Sequence, residues 1–144
     1  MTLFTIGFTQ KSAKQLFDLL KKNHIKRIVD IRLHNNNQLA GYTKKDDFEY
    51  FLKEIANINY KYTKEMAPTE ELMKAIRDKQ ISIEEFKKQF LKILKERKIE
   101  KALSKEEIDM SCLLCSEAKA EDCHRSVVSE YLRSKYKEIE IINI

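Results

Sequence analysis

The densest chemistry in the sequence lies between Cys112 and Arg125, where all three cysteines and one of the three histidines fall. The segment reads as an apolar strand from Met110 to Cys115, a polar loop from Ser116 to Asp122, and a helix that opens near Cys123. Cys123-His124-Arg125 is its sharpest part. A thiol at a helix start sits near unsatisfied N–H groups and the positive end of the helix dipole, here with Arg125 close by in sequence. Both effects favour the thiolate. Cys123 is therefore a candidate nucleophile or ligand contact, the alternative being a small buried structural cysteine. Only His124 separates Cys123 from Arg125, so the longer spacing of a cysteine phosphate loop is absent.

Three more charged residues allow the same reading. Asp30 and Arg32 leave one predicted strand two residues apart and so share a face. One can hold an anion and the other a proton or hydroxyl, unless they simply pair with each other. Glu117 follows Cys115 at the end of the cysteine strand. A crowded carboxylate there can act as acid or base, or instead bind Arg125 or Arg32. Asp30, Glu117 and Cys123 are the candidates for chemistry. Arg32, Gln38, Cys115, His124 and Arg125 are the candidates for substrate contact. Gln38 belongs to the amide-rich run Asn35 to Gln38, which suits hydrogen bonds to a base or sugar, or turns.

Cys112 and Cys115 with Cys123 and His124 offer four soft ligands on paper, with zinc-like spacing. Two leucines fill the pair, however, and strand side chains alternate, so Cys112 and Cys115 should face opposite sides. No metal and no cofactor is expected. Cys112 reads as core, as do the Phe and Leu stripes. Tyr60 and Tyr62 share a strand face, with packing as the default role and ligand stacking as the other.

The elements that must position these residues alternate along the chain. Strands are predicted at Leu3 to Phe8, Arg27 to Arg32, Ile58 to Thr63, Met110 to Cys115 and Glu138 to Ile144. Helices begin at the capping box Ser12 to Gln15, after Thr43, at Pro68-Thr69, at Ser82 and near Cys123. Their apolar residues recur at helical spacing, as in Phe48, Phe51, Leu52 and Ile55. The expectation is a single α/β domain over residues 1–144, a three-layer sandwich with a mainly parallel sheet of about five strands. In such a sheet Gly7, Asp30, Arg32, Cys115 and Glu117 converge on one edge, although far apart in sequence.

At 144 residues, 42% hydrophobic and 35% charged, the composition is globular. Two glycines and one proline argue against long linkers. An odd number of cysteines fits a reducing compartment better than a disulfide scaffold. The start lacks the basic residues and long apolar run of a signal peptide, and no run approaches membrane-spanning length. A cytoplasmic protein with no membrane partner is expected. The formal net charge of +5 mixes Lys with Glu along helices. It leaves nucleic acid as a weakly supported partner, since no Arg-rich or aromatic-interleaved motif accompanies it.

Thr5-Ile-Gly7, Val29-Asp-Ile-Arg32, Gln38 to Thr43, Met66 to Thr69, Leu113-Leu-Cys-Ser-Glu117 and Cys123-His-Arg125 occur in that order. Together they resemble the prokaryotic domain-of-unknown-function family number 488. The resemblance implies the α/β fold and the location of the site, and brings no reaction with it. That family commonly has His after Thr-Ile-Gly, where this chain has Phe8. The leading expectation is an enzyme or enzyme-derived domain with an anion-accepting pocket, for phosphate or a nucleotide-like ligand, at the C-terminal edge of the sheet. The competing one is a non-catalytic binding or interaction module. Oligomeric state is left open.

Overall fold

Short polar residues start most helices. Ser12 accepts a hydrogen bond from the Gln15 amide while the Gln15 side chain accepts from the Ser12 amide, a complete capping box for α1 (Ala13–Lys22). Thr69 and Ser82 cap α3 (Glu70–Arg77) and α4 (Ile83–Arg97) through their hydroxyls. Each such cap contributes about 1 kcal/mol. The computed structural model describes residues 1–35, 41–116 and 124–144.

The strands are β1 (Thr2–Gly7), β2 (Arg27–Asp30), β3 (Asn59–Tyr62), β4 (Ser111–Cys115) and β5 (Glu140–Asn143). They form one sheet in the order β3-β2-β4-β1-β5, and every pairing is parallel. Strand composition follows position. β4 has a neighbour on both sides and buries all five residues, hence its unbroken Ser-Cys-Leu-Leu-Cys. β3 and β5 are edges, and both are half-exposed.

Helices cover both faces. On one, Leu16, Phe17 and Leu20 of α1 join Phe48 and Leu52 of α2 (Lys45–Ala56) against Phe4, Ile6, Ile28, Cys112 and Leu114. On the other, Phe86, Phe90 and Leu94 of α4 meet Val128 and Leu132 of α6 (His124–Lys135) over Leu3, Val29, Leu113 and Cys115. The three-layer α/β sandwich is the observed architecture. Cys112 and Cys115 enter opposite core layers, as strand alternation requires, so the two sulfurs cannot chelate one ion.

One local expectation is corrected, and one helix has no counterpart among the predicted elements. Thr43 does not cap α2. The cap position is Lys44, which makes no capping side-chain bond, and buried Thr43 closes a 3₁₀ turn at Gly41–Thr43. Its carbonyl instead accepts from Arg32 Nη2 at 2.7 Å. With no hydroxyl cap, Asp46 and Asp47 complement the α2 dipole. A short helix, α5 (Lys105–Ile108), also precedes β4, with Ser104 and Glu107 forming its capping box.

The chain order determines where a crevice can open. The connections after β1 and β2 run to α1 and α2 on one face, while the connection after β4 runs to α6 on the other. The C-terminal end of β4, flanked by β2 and β1, is therefore a topological switch point, where open parallel sheets bind ligands.

Candidate functional site at the C-terminal strand edge

β2 and β4 are adjacent and in register, Asp30 beside Leu114, so Asp30 and the end of β4 share one edge. Asp30 is fully buried and takes four hydrogen bonds. Its Oδ1 accepts from the Arg32 amide at 3.1 Å and Arg32 Nε at 2.9 Å. Its Oδ2 accepts from Arg32 Nη2 at 2.8 Å and the Tyr60 hydroxyl at 2.5 Å. The two residues thus form a two-pronged buried ion pair. Arg32 is 2% exposed. Its guanidinium carbon lies 5.3 Å from the centre of the Phe8 ring, a cation–π contact. Nη1 of Arg32 is buried and has no hydrogen-bond partner among the described residues.

Tyr60 lies on edge strand β3, with its ring edge-on to Phe48. Burial, then the neighbouring Asp30 carboxylate, pushes its phenol well above the ordinary range. It therefore stays protonated and donates to Asp30. Burial and then Asp30 raise Tyr62 as well, and its hydroxyl donates to the Leu33 carbonyl at 2.9 Å. A raised phenol contributes stability that is complete below its unfolded value of about 10 and is lost as pH rises through the folded value. Alkaline destabilisation should therefore begin above about pH 10. In Tyr60→Phe the urea midpoint should fall less steeply with pH there. An unchanged slope in the variant would remove Tyr60 as a source of the effect.

A second cationic group flanks β4 on its other side, where Gly7 pairs with Cys115. Arg125 of α6 is 1% exposed, and its Nη1 donates to Cys115 Sγ at 3.2 Å. Lys11 Nζ donates to the Gly7 carbonyl at 2.8 Å. Burial and the charge of Arg125 lower the Lys11 pKa.

A cavity of about 180 Å³ opens at the β2–β4 end. Arg32, Ser116 and His124 reach it from the strand ends and the start of α6, and Arg77 reaches it from α3. Leu33, Pro68 and Met73 make an apolar wall. At the rim His34 pairs with Glu70 at 2.7 Å. His124 is buried, with Nε2 at 2.8 Å from the Ile31 carbonyl and its ring edge-on to Phe90. The carbonyl contact orients the imidazole.

A family model matches residues 12–132. The chain belongs to the family Domain of unknown function DUF488. The matched span runs from the α1 cap into α6, so it contains Asp30, Arg32, the cavity walls and β4. No curated protein and no solved structure matches this DUF488 chain.

Of the residues singled out by sequence, the structure gathers Asp30, Arg32, Cys115, His124 and Arg125 at one edge of the sheet. Glu117, Cys123 and Gln38 lie outside the described residues. Cys115 is fully buried, faces the α6 layer and is disulfide-bonded, against the expectation of reduced cysteines. Sequence reasoning missed Arg77, Ser116 and the hydroxyl role of Tyr60. The paired tyrosines on an edge strand hinted at the last. Arg77 looked like any exposed helix residue. No described helix is long and apolar enough to cross a membrane.

Proposed function

We propose that this DUF488 chain is an enzyme or enzyme-derived domain that accepts an anionic ligand, a phosphate or carboxylate, at the C-terminal edge of the sheet. The observation that carries the reading is the cavity at the switch point, which joins Arg32, Arg77, Ser116 and His124. Arg32, steered by Asp30, and Arg125 position the anion. Arg32 Nη1, buried without a described partner, supplies a donor whose desolvation a ligand oxygen would offset. Proton transfer is assigned to Asp30 or Glu117. Asp30 already accepts four hydrogen bonds from Arg32 and Tyr60. Cys123, at the mouth of α6 in sequence, is the proposed nucleophile or polar contact. A nucleotide or nucleic-acid component rests on fold analogy alone.

The second reading is a non-catalytic binding module, and the saturation of Asp30 by Arg32 and Tyr60 favours it. Cysteine reactivity separates the two. Burial raises the Cys112 thiol far above its ordinary value, so it should stay inert while the chain is folded. In reducing buffer near neutral pH, Cys123 should alkylate faster than Cys112, and inorganic phosphate should slow it. Replacing Arg125 by Leu should weaken that protection. Mass spectrometry of each cysteine against time is the readout. Cys123 reacting only after unfolding would remove the nucleophile and favour the module.

A further inference from the structure

We infer that the cavity takes a short-chain oxyanion, with Arg77 as its principal charged contact, and not a mononucleotide. The inference rests on the anion-pocket reading above and narrows it.

The charges around the cavity lead to Arg77. The charge of Arg32 is matched by Asp30 in a buried two-pronged pair, so Arg32 offers direction but little net field. Glu70 is occupied by His34 at 2.7 Å. His124 is held to the Ile31 carbonyl. Arg77 differs from all three. Its described ion pair is a 4.0 Å approach of Nε to the adjacent Asp78, at the outer limit of such contacts. Its fork of donors is thus available for a carboxylate or phosphate, which it fits in a planar, two-pronged way. It stands on α3, whose Met73 lines the same cavity one helical turn away.

Size and polarity define the rest of the ligand. About 180 Å³ is below the roughly 300–1,000 Å³ of sites for drug-sized molecules, the class that includes a mononucleotide. Leu33, Pro68 and Met73 supply an apolar wall beside the polar groups. An oxyanion head with a body of a few carbons satisfies both, the head at Arg77 and Arg32 Nη1, the body against the apolar wall. Phosphate monoesters and short carboxylates share this chemistry.

Calorimetric titration of the full chain with inorganic phosphate, propyl phosphate, butyrate and adenosine monophosphate tests the inference. Propyl phosphate or butyrate should bind tightest, the better of the two naming the head group. Each methylene buried against the wall should add about fourfold in affinity. Arg77→Leu should weaken the best probe by at least about tenfold, and Arg77→Lys should recover part of the loss. Arg77 is exposed, so neither change threatens the fold. Tightest binding by adenosine monophosphate, or full affinity in Arg77→Leu, would overturn the inference and leave the anion pocket standing. If none of the four binds the wild-type chain, both the inference and the pocket reading fall.

Discussion

Asp30→Ala should cost about 3–5 kcal/mol of folding stability, far more than an ordinary surface change. The reason is what the substitution leaves behind. Arg32 is 2% exposed, and three of its hydrogen bonds, from its amide, Nε and Nη2, go to Asp30. Without the carboxylate, a desolvated guanidinium would keep the Thr43 carbonyl and the Phe8 ring. Neither carries a full negative charge. The Tyr60 hydroxyl would lose its acceptor as well. The double variant Asp30→Leu with Arg32→Met should recover much of the loss, since an apolar pair of similar volume removes the orphaned charge. Urea unfolding of Asp30→Leu, Arg32→Met and the double variant measures the coupling, with Asp30→Ala read alongside. A loss in Asp30→Ala below about 1 kcal/mol would mean that the charge reaches water or another partner, and that the pair does not organise this edge.

Phe90→Ala should cost a similar amount, about 3–5 kcal/mol. Phe90 is fully buried at the centre of the α4–α6 layer. Its ring lies 6.0 Å from that of Phe86 and 5.7 Å from that of His124. The consequence for the site is specific. His124 begins α6 and touches the Ile31 carbonyl, so removing the ring beside it frees the imidazole that lines the cavity. Phe90→Leu keeps most of the volume and should cost much less, while still losing the edge-on aromatic contact. Thermal unfolding compares the two, and the His124 ring resonances report its orientation. Unmoved His124 resonances in Phe90→Ala would disconnect this core layer from the site.

Much of the frame was legible because local rules and the global fold agree. The Ser12, Thr69 and Ser82 caps could be read directly, since each hydroxyl has only the nearby helix amides to satisfy. The apolar run of β4 marked a buried strand, and the alternation around Tyr60 and Tyr62 a half-exposed one, while their central and edge places come from the strand order. Parallel strands alone place Asp30 and the end of β4 on one edge of the sheet, and the strand order makes them neighbours. Thr43 misled because its surroundings, not its type, decide its role. Its carbonyl is held by an arginine eleven positions earlier, a contact that no local pattern announces. The spacing of Asp30 and Arg32 predicted a shared face, but a shared face fits both a mutual pair and two independent contacts. Only the side-chain torsions past the end of β2 separate these. Arg77 could not be found from sequence at all. An arginine near the end of an amphipathic helix reads as solvated, and the packing of α3 over the strand edge is what carries it to the cavity.

Anion binding is assigned to the strand edge. The chain offers a competing place, a groove of about 650 Å³ between α4 and α6 where Lys87, Lys88 and Lys95 surround Leu91 and Tyr131. Backbone amide spectra of labelled protein, recorded as inorganic phosphate is added, discriminate between them directly. The expected result is saturable shifts concentrated at Arg32 to His34, Ser116 and His124. Shifts confined to Lys87 to Lys95 and the facing turn of α6, or none that saturate, would contradict it.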